Sequence, residues 1–550
     1  MSRRGTQVAG AVLLFFLAWL VAYPLVLTLV QGFRAGGEWT AEHLRAFLAR
    51  PTEMRALWGS LWISIASVVA AGLIGIPLAF LFTRFDFPGR RLLGAALALP
   101  AVLPPLVGVL AFMFLYGESG FLAHLVRAVF GLEETPWRFQ GAGAILLVHA
   151  YSMYVYFYLF TRAGLTQLDA SVYEAAASLG AGRVRTLTRV ILPLLRPHLA
   201  GAAILTFMTS LASFSAPYIF GGGFRVMTTQ IVATRLNGDD GLAMVETASL
   251  ALLALAALWL LQRTDADEVS GGSKGAAPER RTLGSGALRV SLGFVSVVLA
   301  IILLLPHLTL LLVSFVPLGT WTTEALPPAY TTGNYLTLIR DPVRARPLAN
   351  SLWMATAATL ASVAIAIAAA ALTVRRRVRG ARAIESLLTI PWAVPGTVFA
   401  IAIAAAFSVR SPETLRFVLV GTAWILPMAY LVRNLPITGR AVLAGARRLD
   451  PSLEEAAATL GASRTRTLRR VTLPLLRSAI VAGATLAFVT AFGDFVTSIM
   501  LYTYDTRPVS LEILSSLRQS DVGVAAAYGV VLMAVSAVVF ALGSERGSSG

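Results

Sequence analysis

Twelve apolar runs, each long enough to cross a bilayer, constrain this chain more than any other feature. A spanning helix needs about 20 apolar residues at about 1.5 Å rise each. The runs fall at 8–31, 57–82, 92–116, 141–161, 198–220, 242–262, 288–316, 348–374, 383–408, 415–437, 478–502 and 521–542. Lipid offers no partners to backbone polar groups, so a chain built this way folds as spanning helices. Composition agrees: 57% of residues are hydrophobic and 13% charged, against about 25% charged in soluble domains. The expected fold class is all-α, a polytopic membrane protein of about twelve spans. The apolar run after Arg3 and Arg4 exceeds the roughly 7–15 residues of a signal-peptide core, so it reads as a retained first span.

The polar stretch 263–287 is rich in Gly and Ser, of mixed charge and without apolar periodicity. It reads as a linker between a first half, 1–262, and a second half, 288–550. Six spans per half return each half to the side it started from. The halves are therefore expected to be parallel, six-helix repeats about a pseudo-two-fold axis along the membrane normal.

Net charge is +17, and all basic residues but Lys274 are Arg. No basic face with interleaved aromatics stands outside the spans, which argues against nucleic acid as a partner. Basic residues instead collect in the loops 83–91, 162–197, 263–287, 375–382 and 438–477. By the positive-inside rule those loops, and both termini, lie in the cytoplasm. Cysteine is absent, and the five His never pair at helical metal-ligand spacing, so thiolate and helical zinc-protease chemistry is excluded. Lys274 follows Ser273 and precedes Gly275, so no P-loop exists in the chain. Paired catalytic acids are likewise missing from the spans.

One polar stretch occurs twice. YEAAASLGAGRVRTLTRVILPLLRP begins at Tyr173 and EEAAATLGASRTRTLRRVTLPLLRS at Glu454. Asp169 or Ser171, and Asp450 or Ser452, are suited to cap a short Ala-rich helix. Gly180 and Gly461 end it, because glycine accepts the left-handed conformation of a sharp turn. A basic limb follows, with Arg183, Arg185 and Arg189 in one copy and Arg464, Arg466, Arg469 and Arg470 in the other, until Pro193 and Pro474 break it. Anionic headgroups ask only for basic charge and do not explain a fixed Glu-Ala-Ala and Gly turn at the same spacing twice.

These loops, 168–195 and 449–476, resemble the EAA motif of permease subunits of bacterial ABC importers: Glu174-Ala175-Ala176 to Gly180, and Glu455-Ala456-Ala457 to Gly461. The resemblance covers nearly the whole chain as two fused permease halves of the type I fold. It implies that the short helix of each loop docks on a cytoplasmic ATPase subunit, with its Glu in contact. It thus implies two ATPase copies, which bind the ATP and Mg, no cofactor or catalysis in this chain itself, and an extracytoplasmic solute-binding protein. The loop Gly221–Gly223 with Arg225 and the loop 502–507 are placed to meet that protein. A single fused chain resembles the iron(III) and thiamine types, and SFSAPYIFGGGFRV and FGDFVTSIMLYT lie nearer the iron type. Ferric iron is therefore the expected cargo, in a bacterial inner membrane; thiamine, polyamine and phosphonate are alternatives. A gradient-driven secondary transporter of two six-helix halves explains the span count but not the doubled loop.

For the path, the aligned positions Ser213, Phe214, Ser215 and Asp494, Phe495 follow the loops. Asp494 is either a contact for a cation in the path, or a carboxylate relieved by a nearby Arg or by hydration close to the interface. Pro100, Pro104 and Pro105, with Pro391 and Pro395, are expected to kink spans three and nine and free carbonyls toward a cavity. The aromatics Tyr151, Tyr154, Tyr156, Phe157 and Tyr158 read as packed core or interface belt before vestibule.

Overall fold

The computed structural model describes all residues except 1–2, 36, 99, 101–103, 266–285, 322–323, 325, 377, 411, 415 and 549–550. Most of the expected linker, 263–287, thus lies outside the described residues. Its edges are helical, since the flanking helices run to Asp265 and start at Gly286.

The chain is helical nearly throughout, with one short antiparallel strand pair, Arg34–Ala35 and Glu38–Trp39. In the first half, α1 (Arg4–Gly32) leads to α2 (Pro51–Arg84), then α3 (Arg90–Ala96) and α4 (Pro105–Tyr116). The long α5 (Gly141–Gln167) is followed by the short α6 (Ala170–Ser178), then α7 (Arg196–Leu211), α8 (Met227–Leu236) and α9 (Asp240–Asp265). The second half repeats this order: α10 (Gly286–Val313), α11 (Pro342–Ala370), α12 (Ala381–Ala393), α13 (Gly396–Ala406) and α14 (Ile425–Arg448). After them come α15 (Ser452–Thr459), α16 (Arg477–Phe492), α17 (Val509–Arg518) and α18 (Val522–Ser548).

Among the described residues, eight helices are long and apolar enough to cross a membrane, or eleven if each bent pair is one span. Five expected spans differ in kind. The fifth and eleventh, expected at 198–220 and 478–502, end at Leu211 and Phe492 before the short helices Ser215–Phe220 and Ser498–Leu501. The third is interrupted between α3 and α4, and the ninth is two helices, α12 and α13, set 113° apart. These are breaks where kinks were expected. Proline lacks an amide hydrogen and disfavours helix in the residue before it, and here Pro104 and Pro395 sit at the N-caps of α4 and α13. The tenth, expected at 415–437, begins only at Ile425 and runs to Arg448 as α14. Ser, Pro, Glu and Gly between 408 and 424 delay its start. Arg433, Arg440, Arg447 and Arg448 make it the one long core helix too polar to pass as a span on composition. It is buried by packing on α11.

The halves exchange their first spans. α10 lies on the first half, where His307 bonds Tyr151 at 2.9 Å and Arg289 meets Asp86 at 3.6 Å. α1 lies on the second, where Trp19 Nε1 donates to the Glu413 carbonyl at 2.9 Å and packs edge-on against Phe407. This exchange orders the ends of the bundle. α10 starts beside Asp86, just past the C-terminus of α2, and ends where Asn334 holds the Ser314 and Val316 carbonyls, next to the start of α11. One helix of about 42 Å separates those points. The C-termini of α2 and α11 are therefore at the same end. The aromatic run of α5 is packed core: Tyr154 and Tyr158 are fully buried and donate to the Leu97 and Gly94 carbonyls, holding α5 against α3.

Candidate coupling loops and translocation path

The two repeated loops fold alike. The Asp169 carboxylate accepts from the Ser171 amide and that of Asp450 from the Ser452 amide, both at 2.9 Å. Each thereby satisfies an amide that the first helical turn leaves unpaired. The same hydrogen bond holds the Asp450 carboxyl below its usual range. Alanine then carries α6 and α15, the best helix former in a run with nothing large to bury. Gly180 and Gly461 end them at φ +72° and +76°. In both copies the amide three residues past the helix returns to the middle Ala of the run, Ala181 to Ala176 and Ala462 to Ala457, each at 3.0 Å. That is the bond of a Schellman turn. A Cβ on either glycine meets nothing within 4 Å, so the requirement for glycine is conformational rather than spatial.

The predicted contact residues are brought to one surface. Glu174, Ala175, Glu455 and Ala456 are exposed, with Ala176 buried and Ala457 half-buried beneath them. Neither Glu carboxylate makes an ion pair among the described residues. Between each helix and its glycine stands a leucine that points into water: Leu179 is 85% exposed and Leu460 88%. From the sequence alone these leucines carry no assigned role. Their signal was position: they are apolar at the one place in each loop where the chain leaves a helix with no core below it.

The basic limb is 183–194 in one copy and 464–475 in the other, and each contains a π-helical turn. Its arginines are exposed. The break expected at Pro193 and Pro474 falls after Leu195 and Leu476, where the axis turns 68° in both halves. Each proline removes the amide due to the carbonyl four residues back, the π turn takes up part of that mismatch, and the bend follows two residues later.

Each loop is tied to the end of the second long helix of its half, in different ways. The Arg84 guanidinium lies 3.7 Å over the Tyr173 ring. At the matching positions Arg375 meets Glu454 at 3.4 Å, and Thr472 donates to the same carboxylate at 2.9 Å. The two loops therefore sit at one end of the bundle.

The path candidates divide into two groups. Phe214 and Phe495, at corresponding positions of the two halves, meet each other with ring centroids 5.7 Å apart, and Tyr218 packs on both. Both are buried. Gly493 lets α16 close on the first half: a Cβ there comes within 2.4 Å of Pro104. Ser213 bonds His149 at 2.9 Å, in a network with Ser67 and Ser210, and Ser215 is buried at the start of the next helix. Asp494 is paired. It receives Arg433 from α14 and the amides of Thr497 and Ser498 at 2.9 and 3.1 Å. Of its two expected readings, the structure holds the ion pair. Pro391 is buried inside α12, and Pro395 starts α13 beside Gly396, which leaves room for Arg433.

Comparison with known proteins agrees with this geometry. The model of the family described as "Binding-protein-dependent transport system inner membrane component" matches twice, over residues 54–266 and 361–544. A probable ABC transporter permease of Sinorhizobium fredii is 28% identical over 98% of this chain and 96% of its own length. A ferric transport system permease of Actinobacillus pleuropneumoniae is 28% identical over 96% of this chain and 76% of its own. A thiamine transport system permease of Brucella suis is 29% identical over half of each chain. With both halves matched, one loop in each, the chain belongs to the family of inner membrane components of binding-protein-dependent transport systems, as an ABC transporter permease.

Proposed function

We propose that this permease is the translocation subunit of an importer driven by two copies of a cytoplasmic ATPase, one docked on α6 and one on α15. The observation that carries this reading is the pair of identical, exposed surfaces at one end of the bundle: Glu174 with Leu179, and Glu455 with Leu460. The Arg excess of the same loops assigns that end to the cytoplasm. Each loop is short, capped, and continuous with a limb bent 68° to a core helix, so force on the loop is transmitted as a rigid body. ATP binding brings the motor subunits together, the loops follow, and α7 and α16 swing apart at the axis. Phe214 and Phe495 are the contact that closes the axis against leak. Coupling then consists of contacts that differ between the two arrangements.

Cargo reaches the opposite end from an extracytoplasmic binding protein, and the cargo is ferric iron. The support is coverage: the relatives named for ferric transport align over 96% and 90% of this chain, the thiamine permease over half. Proteoliposomes holding the permease, its ATPase and its binding protein test the reading. Uptake of labelled ferric iron that requires ATP and is indifferent to a collapsed proton gradient is expected. Uptake that persists without the ATPase and stops with the gradient overturns it in favour of a secondary transporter. ATP-dependent uptake of thiamine but not iron reassigns the cargo alone.

A further inference from the structure

Two carboxylates of the first half are buried side by side, away from the Phe214–Phe495 contact. Glu53, in the first turn of α2, is 2% exposed, and Glu246, in the second turn of α9, is fully buried. A buried chain of hydrogen bonds joins them: Gln230 Nε2 donates to Glu53 Oε1 at 3.2 Å and to Thr234 Oγ1 at 3.3 Å, and Thr234 Oγ1 donates to Glu246 Oε1 at 2.8 Å. One oxygen of each is served. Glu53 Oε1 accepts from Thr52 Oγ1 at 3.1 Å and Gln230 Nε2 at 3.2 Å, and Glu246 Oε1 accepts from Thr234 Oγ1 at 2.8 Å. The other oxygen of each, Oε2, is buried with no donor.

Among the described residues neither carboxylate makes an ion pair. Asp239, which immediately precedes α9, is acidic too. Arg50 is bridged to that Asp239 at 3.2 Å, and Arg225 to Gln230 Oε1 at 3.0 Å. Arg235, whose Nη1 is buried without a hydrogen-bond partner among the described residues, lines a cavity of about 350 Å³ with Arg34, His43 and Asp240. Of the other elements packed on α9, α13, the last turns of α1 and α7 beyond His198 carry no ionisable side chain. The helix Glu42–Ala49 brings Glu42 and Arg45, both exposed, and His43, which lies against Gly241; α12 brings the exposed Arg382, and Glu385, which is bridged to Arg447.

The second half shows what the same place looks like with a cation. The register is fixed by twin bonds, Met227 N to Ser60 Oγ and Val509 N to Ser351 Oγ. It sets Arg344 where Glu53 stands, Glu512 where Gln230 stands and Tyr528 where Glu246 stands. There the guanidinium of Arg344 meets Glu512 at 3.5 Å and Asp521 at 3.4 Å, and donates to Ser516 at 2.9 Å. The charge is matched inside the site.

Two ionised carboxylates cannot face each other in such surroundings without a counter-charge, whereas one proton satisfies both empty oxygens as an O–H donor and its acceptor. We propose that Glu53 and Glu246 hold one proton between them, so that the first half carries a proton-binding site where the second carries an ion pair. Separation of α2 from α8 and α9 hydrates both groups and releases the proton. Rising pH therefore favours the separated arrangement, and falling pH the packed one.

Infrared spectroscopy of the full chain in lipid nanodiscs tests this without ATPase or cargo, so its outcome is independent of the importer reading. The wild-type protein is expected to show, at neutral pH, a protonated-carboxyl band that shifts in deuterium oxide. The band disappears in Glu53→Gln and in Glu246→Gln, neutral isosteres that keep the same bonds. Thermal unfolding of the wild type moves to lower temperature as pH rises, and that slope is reduced in both variants. Absence of the band from the wild-type protein overturns the proposal, as does thermal stability that follows added sodium or potassium instead of pH. Wild-type measurements alone supply those two outcomes, so a variant that fails to fold leaves the test intact.

Discussion

Leu179 and Leu460 make the docking reading quantitative. Both stand in water in the free permease, 85% and 88% exposed, and a coupling helix that enters a groove on its motor buries them first. Truncation to alanine removes three carbons. At about 0.8 kcal/mol per buried methylene, each replacement weakens docking by about 2 kcal/mol, or roughly thirtyfold in Kd. On the proposed docking each loop serves its own motor copy, so the losses add across the complex. Neither leucine packs in the permease core, so each variant keeps the stability of the parent to within about 0.5 kcal/mol. The assay is the affinity of the isolated ATPase subunit for nanodisc-held permease, alongside the melting temperature of the same samples. An affinity within a factor of two of wild type in the double variant refutes the reasoning, because it leaves the most exposed apolar side chains of both loops outside the interface. A fall in affinity matched by a fall in melting temperature also refutes it, since the leucines then support the fold.

Three further outcomes are expected. Gly180→Pro and Gly461→Pro abolish co-purification of the ATPase while membrane insertion persists, because proline holds φ near −65° and cannot take the +72° and +76° of these turns; retained co-purification argues against the turn as the docking device. Asp494→Ala strands Arg433 beside Thr497 and lowers stability by about 3 kcal/mol, the lower end for a broken buried pair because Arg433 is partly exposed. Uptake lost at an unchanged melting temperature assigns the carboxylate to cargo instead. Phe214→Ala with Phe495→Ala opens the axis, so liposomes carrying the permease alone leak a trapped small solute; tight liposomes place the closure elsewhere.

The sequence shows the helices clearly and their breaks poorly. Apolar length alone located the long spans, since lipid enforces intrahelical bonding wherever water is missing. It failed at α14, which is buried by protein instead of by lipid and so tolerates Arg433 and Arg440. It also understated the prolines: a kink and a 113° break share the same residues, and the difference lies in whether neighbours accept the freed groups. The loops were legible because they are local, a cap, an alanine run and a glycine within twelve residues. Leu179 and Leu460 were not, since exposure is a property of what is absent around them. The partner of Asp494 lay 61 residues away on α14, beyond any spacing rule.

Comparison of the two halves against each other explains more than either half alone. Where both keep a residue, such as Ser60 with Ser351, Phe214 with Phe495, or Gly180 with Gly461, the geometry is also kept. Those positions belong to the backbone frame, the ring contact between the halves and the turns of the repeated loops. Where they diverge, the chemistry is exchanged for another that fills the same space. A cation over a ring at Arg84 and Tyr173 faces an ion pair at Arg375 and Glu454. A hydroxyl–imidazole network at Ser213 and His149 faces a carboxylate–guanidinium pair at Asp494 and Arg433. Salt screens exposed charges more than buried ones, so the Asp494–Arg433 pair, whose carboxylate is buried, responds less to ionic strength than the Arg375–Glu454 pair, whose carboxylate is half-buried. The two loops thus rest on supports that are alike in position and unlike in chemistry. A fused chain keeps each support with its own half, whereas two identical subunits would have to carry the same chemistry twice.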